Sequence, residues 1–170
     1  AASGCREKVA FLSADAGDYK EAQITFEDLG TTSLQSNLGK FNAKKWFTNA
    51  VLCALARNDA VAAANKFAEF LAKDYSFDGT REAMLCDALI KAADANDREA
   101  VATAAADYDK VKRLDPWTTK ILLAIKTSLD PGPLDDDDAD GHLPPDGDDD
   151  TAPPDAPPDE DDAEDLPDLT

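Results

Sequence analysis

Proline is absent from the first 115 residues of this 170-residue chain, and nine of its ten prolines stand after position 129. A proline inside a helix removes a backbone hydrogen bond and clashes with the preceding turn, so a long proline-free run rich in Ala, Leu, Lys and Glu is open to continuous helices. No stretch alternates apolar and polar residues with the β-branched enrichment of a strand. The body is therefore expected to be all-α. Breaks are predicted at Asp15-Ala-Gly-Asp18, Gly30-Thr-Thr-Ser33, Arg57-Asn-Asp59, Ser76-Phe-Asp-Gly79, Asn96-Asp97 and Asp115-Pro116, each supplying an N-cap side chain or a helix-ending glycine. The implied helices cover 4–15, 18–29, 39–57, 59–73, 79–94, 97–112 and 116–129, with 31–38 as a loop or short helix.

Every second helix carries a small residue one turn before an aromatic: Ala22 and Phe26, Ala63 and Phe67, Ala104 and Tyr108. The aromatics stand 41 residues apart. A small residue admits a neighbouring helix closely and the ring fills the space beyond it, which is the logic of stacked helical hairpins of the TPR-like kind. A four-helix-bundle core with chance spacing is the alternative. Pro116 opens the last helix at a position where its missing N–H costs nothing. Ile121, Leu122, Ile125 and Leu129 form one stripe, expected to close the open end of the stack.

Charge is as unevenly divided as proline. Residues 1–129 carry 18 acids and all 17 bases, whereas 130–170 carry 18 acids, no Lys or Arg, and no Phe, Tyr or Trp. Two domains follow: a nearly neutral helical body over 1–129 and a Pro/Asp-rich segment over 130–170. The second cannot bury enough apolar surface to offset ordering and is expected to be disordered. Such acidity repels nucleic acid and anionic membrane unless a local basic face compensates. No apolar run approaches the roughly 20 residues of a membrane span, and no signal-peptide pattern is visible at the start. The opening without Met is what a processed or partial product would show. Cys5, Cys53 and Cys86 are widely spaced in apolar helical contexts, which points to buried, reduced thiols and a cytoplasmic setting.

Little in the sequence points to catalysis, and no cofactor is expected. The one histidine, His142, lies in the acidic segment, so no Ser/His or Cys/His pair can form in the body. Glycine-rich phosphate loops are absent. Asp136-x-Asp138-x-Asp140-Gly141 begins like a calcium-binding EF-hand loop, but position twelve is Gly147 and Pro144 and Pro145 occupy its later half, so no metal site is expected. Lys40, Lys44 and Lys45 are interleaved with Phe41, Trp46 and Phe47. Lys40 and Lys44 share a helix face, and Lys8 stands on the first helix, which a right-handed stack would place alongside. This strip is either a solvated face or a basic surface for an acidic partner.

Gly17-Asp-Tyr-Lys-Glu-Ala22, Phe26-Glu-Asp-Leu-Gly30, Phe77-Asp-Gly-Thr-Arg-Glu82, Tyr108-Asp109, Arg113-Leu-Asp-Pro-Trp117 with Ile121-Leu-Leu, and the ending Asp168-Leu-Thr170 are found together here. The combination resembles the C-terminal half of the alpha-SNAP family, the soluble NSF attachment proteins, in their plant and algal forms. The resemblance runs over residues 1 to about 129 and resumes at the last few residues. It implies a right-handed TPR-like solenoid ending in a small helical bundle. It also implies an adaptor, not an enzyme, that grips the SNARE four-helix bundle through a basic face and recruits the hexameric ATPase NSF, in the cytoplasm and peripheral to membranes. Lys8 and Lys44 match family lysines on the SNARE-facing side, and Lys40 matches another. Leu169 matches the penultimate leucine needed to stimulate NSF. An acidic NSF-facing cluster falls on 91–97, leaving Asp94 with Asp97 nearby, since Lys91 and Ala95 stand where the family has acids; Asp59 matches a further acidic contact. About 36 extra residues separate the last helix from Asp168-Leu-Thr170, and the family's N-terminal half has no counterpart here. The acidic segment is expected to offset part of the charge lost at 91 and 95 by attracting NSF's basic surface. A scaffold or decoy that holds NSF without productive SNARE disassembly is the alternative, and an acidic chaperone for basic clients is a third.

Overall fold

The computed structural model describes residues 2–129. The expectations for 130–170, including disorder, the EF-hand-like stretch, His142 and Leu169, lie outside the described residues. Seven α-helices follow in order: α1 (Ala2–Asp15), α2 (Tyr19–Leu34), α3 (Lys40–Ala56), α4 (Ala60–Lys73), α5 (Arg81–Asp94), α6 (Arg98–Val111) and α7 (Pro116–Ser128). One 3-10 turn, Tyr75–Phe77, leads into α5, and no strand occurs among the described residues.

Three hairpins, α1–α2, α3–α4 and α5–α6, are closed by the same turn. Gly17, Asn58 and Asn96 take positive φ angles of 87°, 59° and 54°. Each donates its N–H to the carbonyl three residues back, and the following Asp donates to the carbonyl five back: Asp18 to Ser13, Asp59 to Ala54, Asp97 to Ala92, at 2.8–3.2 Å. This is the Schellman closure, which satisfies carbonyls the ending helix leaves open. The same aspartates then cap the next helix, accepting from the backbone N–H of Glu21, Ala62 and Ala100. One residue pair thus ends one helix and starts its antiparallel partner.

Counted from these caps, Ala22 corresponds to Ala63 and to Val101, and Phe26 to Phe67 and Ala105. In α6 the Ala104–Tyr108 pair therefore sits nearly one turn later than the 41-residue spacing suggests. Phe26 is fully buried, whereas Tyr108 is only half-buried and sends its hydroxyl to Glu82.

Gly30 does not end α2. The helix continues to Leu34, because the glycine lies where α3 crosses: a Cβ there would stand 2.4 Å from Cε1 of Phe47. Phe47 is fully buried and stacked on Phe70 at 4.4 Å, so it has nowhere to retreat. Gly30→Ala is expected to cost about 1–3 kcal/mol by overpacking; a denaturant midpoint equal to wild type would contradict this close approach.

Helix α3 is the hub, buried on every residue from Trp46 to Ala56 and packed against α2, α4, α5 and α7. Trp46 faces an aromatic group of Phe11, Phe26 and Trp117, while its neighbour Phe47 faces Phe70 and Phe77. Helix α7 does more than close the last hairpin. It packs on α6 and returns to α3, placing Trp117 5.1 Å from Phe11 and 5.5 Å from Phe26. Lys120 meets Asp15 at 3.0 Å, and Arg98 binds the carbonyl of Lys126 at 3.0 Å. Cys53 and Cys86 are buried, and desolvation pushes both thiols up to about 12. Cys5, expected to be buried with them, is exposed on the first turn of α1.

Candidate functional site

Lys40 and Lys44 lie one turn apart at the start of α3. Helices α2, α5 and α6 place Glu21, Glu82 and Glu99 in their first turns, which suits the positive end of the helix dipole. Helix α3 has no acid there, no side-chain cap, and three lysines within its first six residues. This arrangement opposes helix stability. Beside the lysines, Leu38 and Phe41 are 87% and 80% exposed. Phe41 belongs to the strip marked out in the sequence, whereas Leu38, just before α3, is not part of it. Lys8 is exposed on α1, and the structure leaves it on that separate helix. Neither Lys8 nor Lys40 pairs with a carboxylate among the described residues.

Lys44 differs from them. Its ammonium stands 3.7 Å from Oε1 of Glu82, while Lys112 approaches Oε2 at 3.5 Å and the Tyr108 hydroxyl donates to Oε2 at 3.0 Å. Glu82 is 7% exposed and lines a cavity of about 330 Å³, with Lys44, Lys45, Lys112, Arg113 and Asp115 around it. Burial opposes ionisation of Glu82. The Tyr108 hydroxyl, the residue's own backbone N–H and the two ammoniums outweigh it and hold the carboxyl below the usual carboxylate range. Burial, then Glu82 itself, pushes the Tyr108 hydroxyl up, so it remains a donor. Lys45 is held over the Trp46 ring, 4.6 Å from its centre.

A lowered folded pKa means that Glu82 contributes stability above its unfolded value, lost as pH falls through the folded value. Glu82→Gln should therefore show a smaller loss of thermal midpoint than wild type between about pH 6 and about pH 3. Equal losses would contradict the assignment.

The acidic candidates occupy the hairpin turns. Asp59 and Asp97 stand at equivalent turns, each with one oxygen committed to a helix cap at 2.9 and 3.0 Å. Asp59 is held further: its other oxygen lies 3.8 Å from Arg57, which donates to Gln23, which donates to Glu27, the partner of Lys66. This chain ties the second hairpin to the first. Asp94 is exposed at the last residue of α5, an acid at the negative end of a helix. Lys91, which stands where the resembled family has an acid, is paired with Asp87 at 2.7 Å on its own helix.

Hairpin topology places these groups at opposite ends. Lys40 starts α3, and Asp59 follows its end; 17 helical residues span about 25 Å. Glu82 near the start of α5 and Lys112 just after α6 lie at the Lys40 end, with Asp74, Asp78 and Asp115, while Asp94 and Asp97 lie at the Asp59 end, with Arg57 and Lys91. Among the described residues no group of three or more His, Cys, Asp or Glu could hold a metal ion, and no helix is long and apolar enough to cross a membrane.

The family model described as "Soluble NSF attachment protein, SNAP" matches residues 1–130. The chain is 42% identical over 123 residues to the "Probable vesicular-fusion protein sec17 homolog" of Neurospora crassa, covering 72% of this chain and 42% of that protein. It is 36% identical over 138 residues to "Alpha-soluble NSF attachment protein" of Vitis vinifera, covering 81% and 48%. It is 35% identical over 125 residues to the protein of the same name from Saccharomyces cerevisiae, covering 74% and 43%. The chain spans less than half the length of these curated relatives. With the helical hairpins, their capped turns and the matched residues 1–130 taken together, the chain belongs to the soluble NSF attachment protein family.

Proposed function

We propose that this chain is an adaptor that binds SNARE complexes and recruits and stimulates the NSF ATPase for SNARE disassembly in vesicle trafficking. In this role it acts in the cytoplasm, peripheral to membranes, and supplies no catalytic group of its own. The observation that carries the reading is the family match over residues 1–130, with exposed Lys40 at the start of α3 and Asp59 just past its end, about 25 Å apart. A bridge between two partners of opposite surface charge needs that separation, because the helices fix the distance between the two grips.

In this reading Lys8, Lys40 and Lys44 meet carboxylates of the SNARE bundle, with Leu38 and Phe41 adding apolar contact beside them. Asp94 and Asp97 face NSF, and Asp59 contributes with the part of its carboxylate that the cap leaves. Residues 1–129 form the gripping domain, and 130–170 form an acidic domain that carries Leu169. The 18 acids of 130–170 favour encounter with a basic NSF surface, an attraction that salt weakens over a Debye length of about 8 Å at physiological ionic strength.

Leu169→Ala is expected to leave SNARE binding unchanged and to reduce stimulated NSF ATPase activity severalfold. Deleting 131–160 should weaken NSF binding mainly at low salt. Full ATPase stimulation by Leu169→Ala would reject the role of that residue, and NSF affinity insensitive to both salt and the deletion would reject the role of the acidic segment.

A further inference from the structure

We propose that Lys112 joins Lys44 in a two-ammonium clamp for a carboxylate of the acidic partner, and that Glu82 is the positioning residue that sets the clamp. Lys112 immediately follows α6, and its backbone N–H is tied to the Tyr108 carbonyl at 2.8 Å. Tyr108 and Lys112 converge on the same oxygen of Glu82, and Lys44 reaches the other oxygen from α3. Three helices thus meet on one carboxylate that is almost wholly out of water.

The lysines themselves are not out of water. Their side chains are 42% and 58% exposed, against 10% for that of Glu82. An ammonium has three donors; Lys112 directs one toward Glu82 at 3.5 Å, Lys44 is held near it by charge alone at 3.7 Å, and both keep donors for a ligand at the mouth of the cavity. A free lysine loses considerable rotamer entropy when a partner immobilises it, and Glu82 removes part of that loss in advance. Glu82 therefore acts in two opposite senses. As a charge it weakens attraction for an acidic partner, and as a brace it strengthens capture. Burial beside Tyr108 fixes its place, which favours the brace.

The inference rests on Lys44 facing the SNARE bundle, so the test uses two probes on the full chain: the assembled SNARE four-helix bundle and a hexaglutamate peptide, both by calorimetry. Lys112→Met should weaken both probes roughly fivefold, the scale of one screened charge contact. Glu82→Gln should also weaken both, roughly threefold to fivefold, although it removes a negative charge. Tyr108→Phe keeps the charge but releases the carboxylate, and should weaken both about twofold. If Glu82→Gln melts too early to measure, Tyr108→Phe decides: weaker binding supports the brace and wild-type binding overturns it. Tighter binding by Glu82→Gln, or wild-type affinity in Lys112→Met, also overturns the proposal. If hexaglutamate follows the expected pattern while the SNARE bundle fails to bind wild type, the clamp stands and the adaptor reading falls. If the bundle binds and the variants change nothing, the clamp falls and the adaptor reading stands.

Discussion

Lys8→Glu combined with Lys40→Glu is expected to lower affinity for the SNARE four-helix bundle by roughly 30- to 100-fold, about 2–3 kcal/mol. Each reversal replaces an attraction with a like-charge repulsion, and the association rate should fall most because exposed charges steer encounter. Both lysines are exposed and pair with no carboxylate among the described residues, so the reversals break no ion pair seen in the fold. Lys44→Glu is a poorer choice, since it sets a second carboxylate beside buried Glu82 and would disturb the structure as well as the surface. The measurement is bundle affinity at two salt concentrations, with the thermal midpoint as control. Unchanged affinity would show that these lysines are a solvated face.

Phe26→Ala should cost about 3–5 kcal/mol, from a stability of about 5–15 kcal/mol for a domain of this kind. Phe26 is fully buried on α2 and meets Phe11 at 5.2 Å, Trp117 at 5.5 Å and Trp46 at 5.9 Å, one ring from each of α1, α7 and α3. Truncation leaves a cavity bordered by all three helices, and large rings close over such a gap poorly. The thermal midpoint should fall on the order of 10–20 °C. The chain has two tryptophans, Trp46 and Trp117, and both stand in this cluster, so intrinsic fluorescence reports it directly. Phe41→Ala, at a residue 80% exposed, should stay within about 0.5 kcal/mol of wild type. A Phe26→Ala midpoint within a few degrees of wild type would mean that the cluster does not hold α7 to the hairpins.

The features legible in the sequence were those set by neighbouring residues. Asp18, Asp59, Asp97 and Asp115 were recognisable as caps because a cap needs only a short acceptor and an N–H two or three residues ahead. Lys40 and Lys44 were legible as a face because helix geometry fixes their spacing. Features set by packing were not. Gly30 looked like a helix stop, and only the Phe47 ring from α3 shows why a glycine lies inside α2. The return of Trp117 to Phe11 joins residues more than a hundred positions apart, which no local pattern reports. The Glu82 centre has the same character. Lys44, Glu82, Tyr108 and Lys112 are brought together by three helices, so the sequence showed a surface lysine where the fold has a braced one. Cys5 shows the opposite error: the sequence reading groups it with the other two thiols as buried, although Gly4 and Arg6 flank it, and it is exposed.

The proposed function requires Lys8 and Lys40 to hold one partner while Asp94 and Asp97 hold another at the same time. The direct measurement is retention of NSF on beads bearing the assembled SNARE bundle, with and without this chain. NSF should remain on the beads when the wild-type chain is present and be lost when Lys8→Glu/Lys40→Glu replaces it. If the chain binds the bundle but leaves NSF in solution, or binds NSF but never reaches the beads, the bridging account is contradicted.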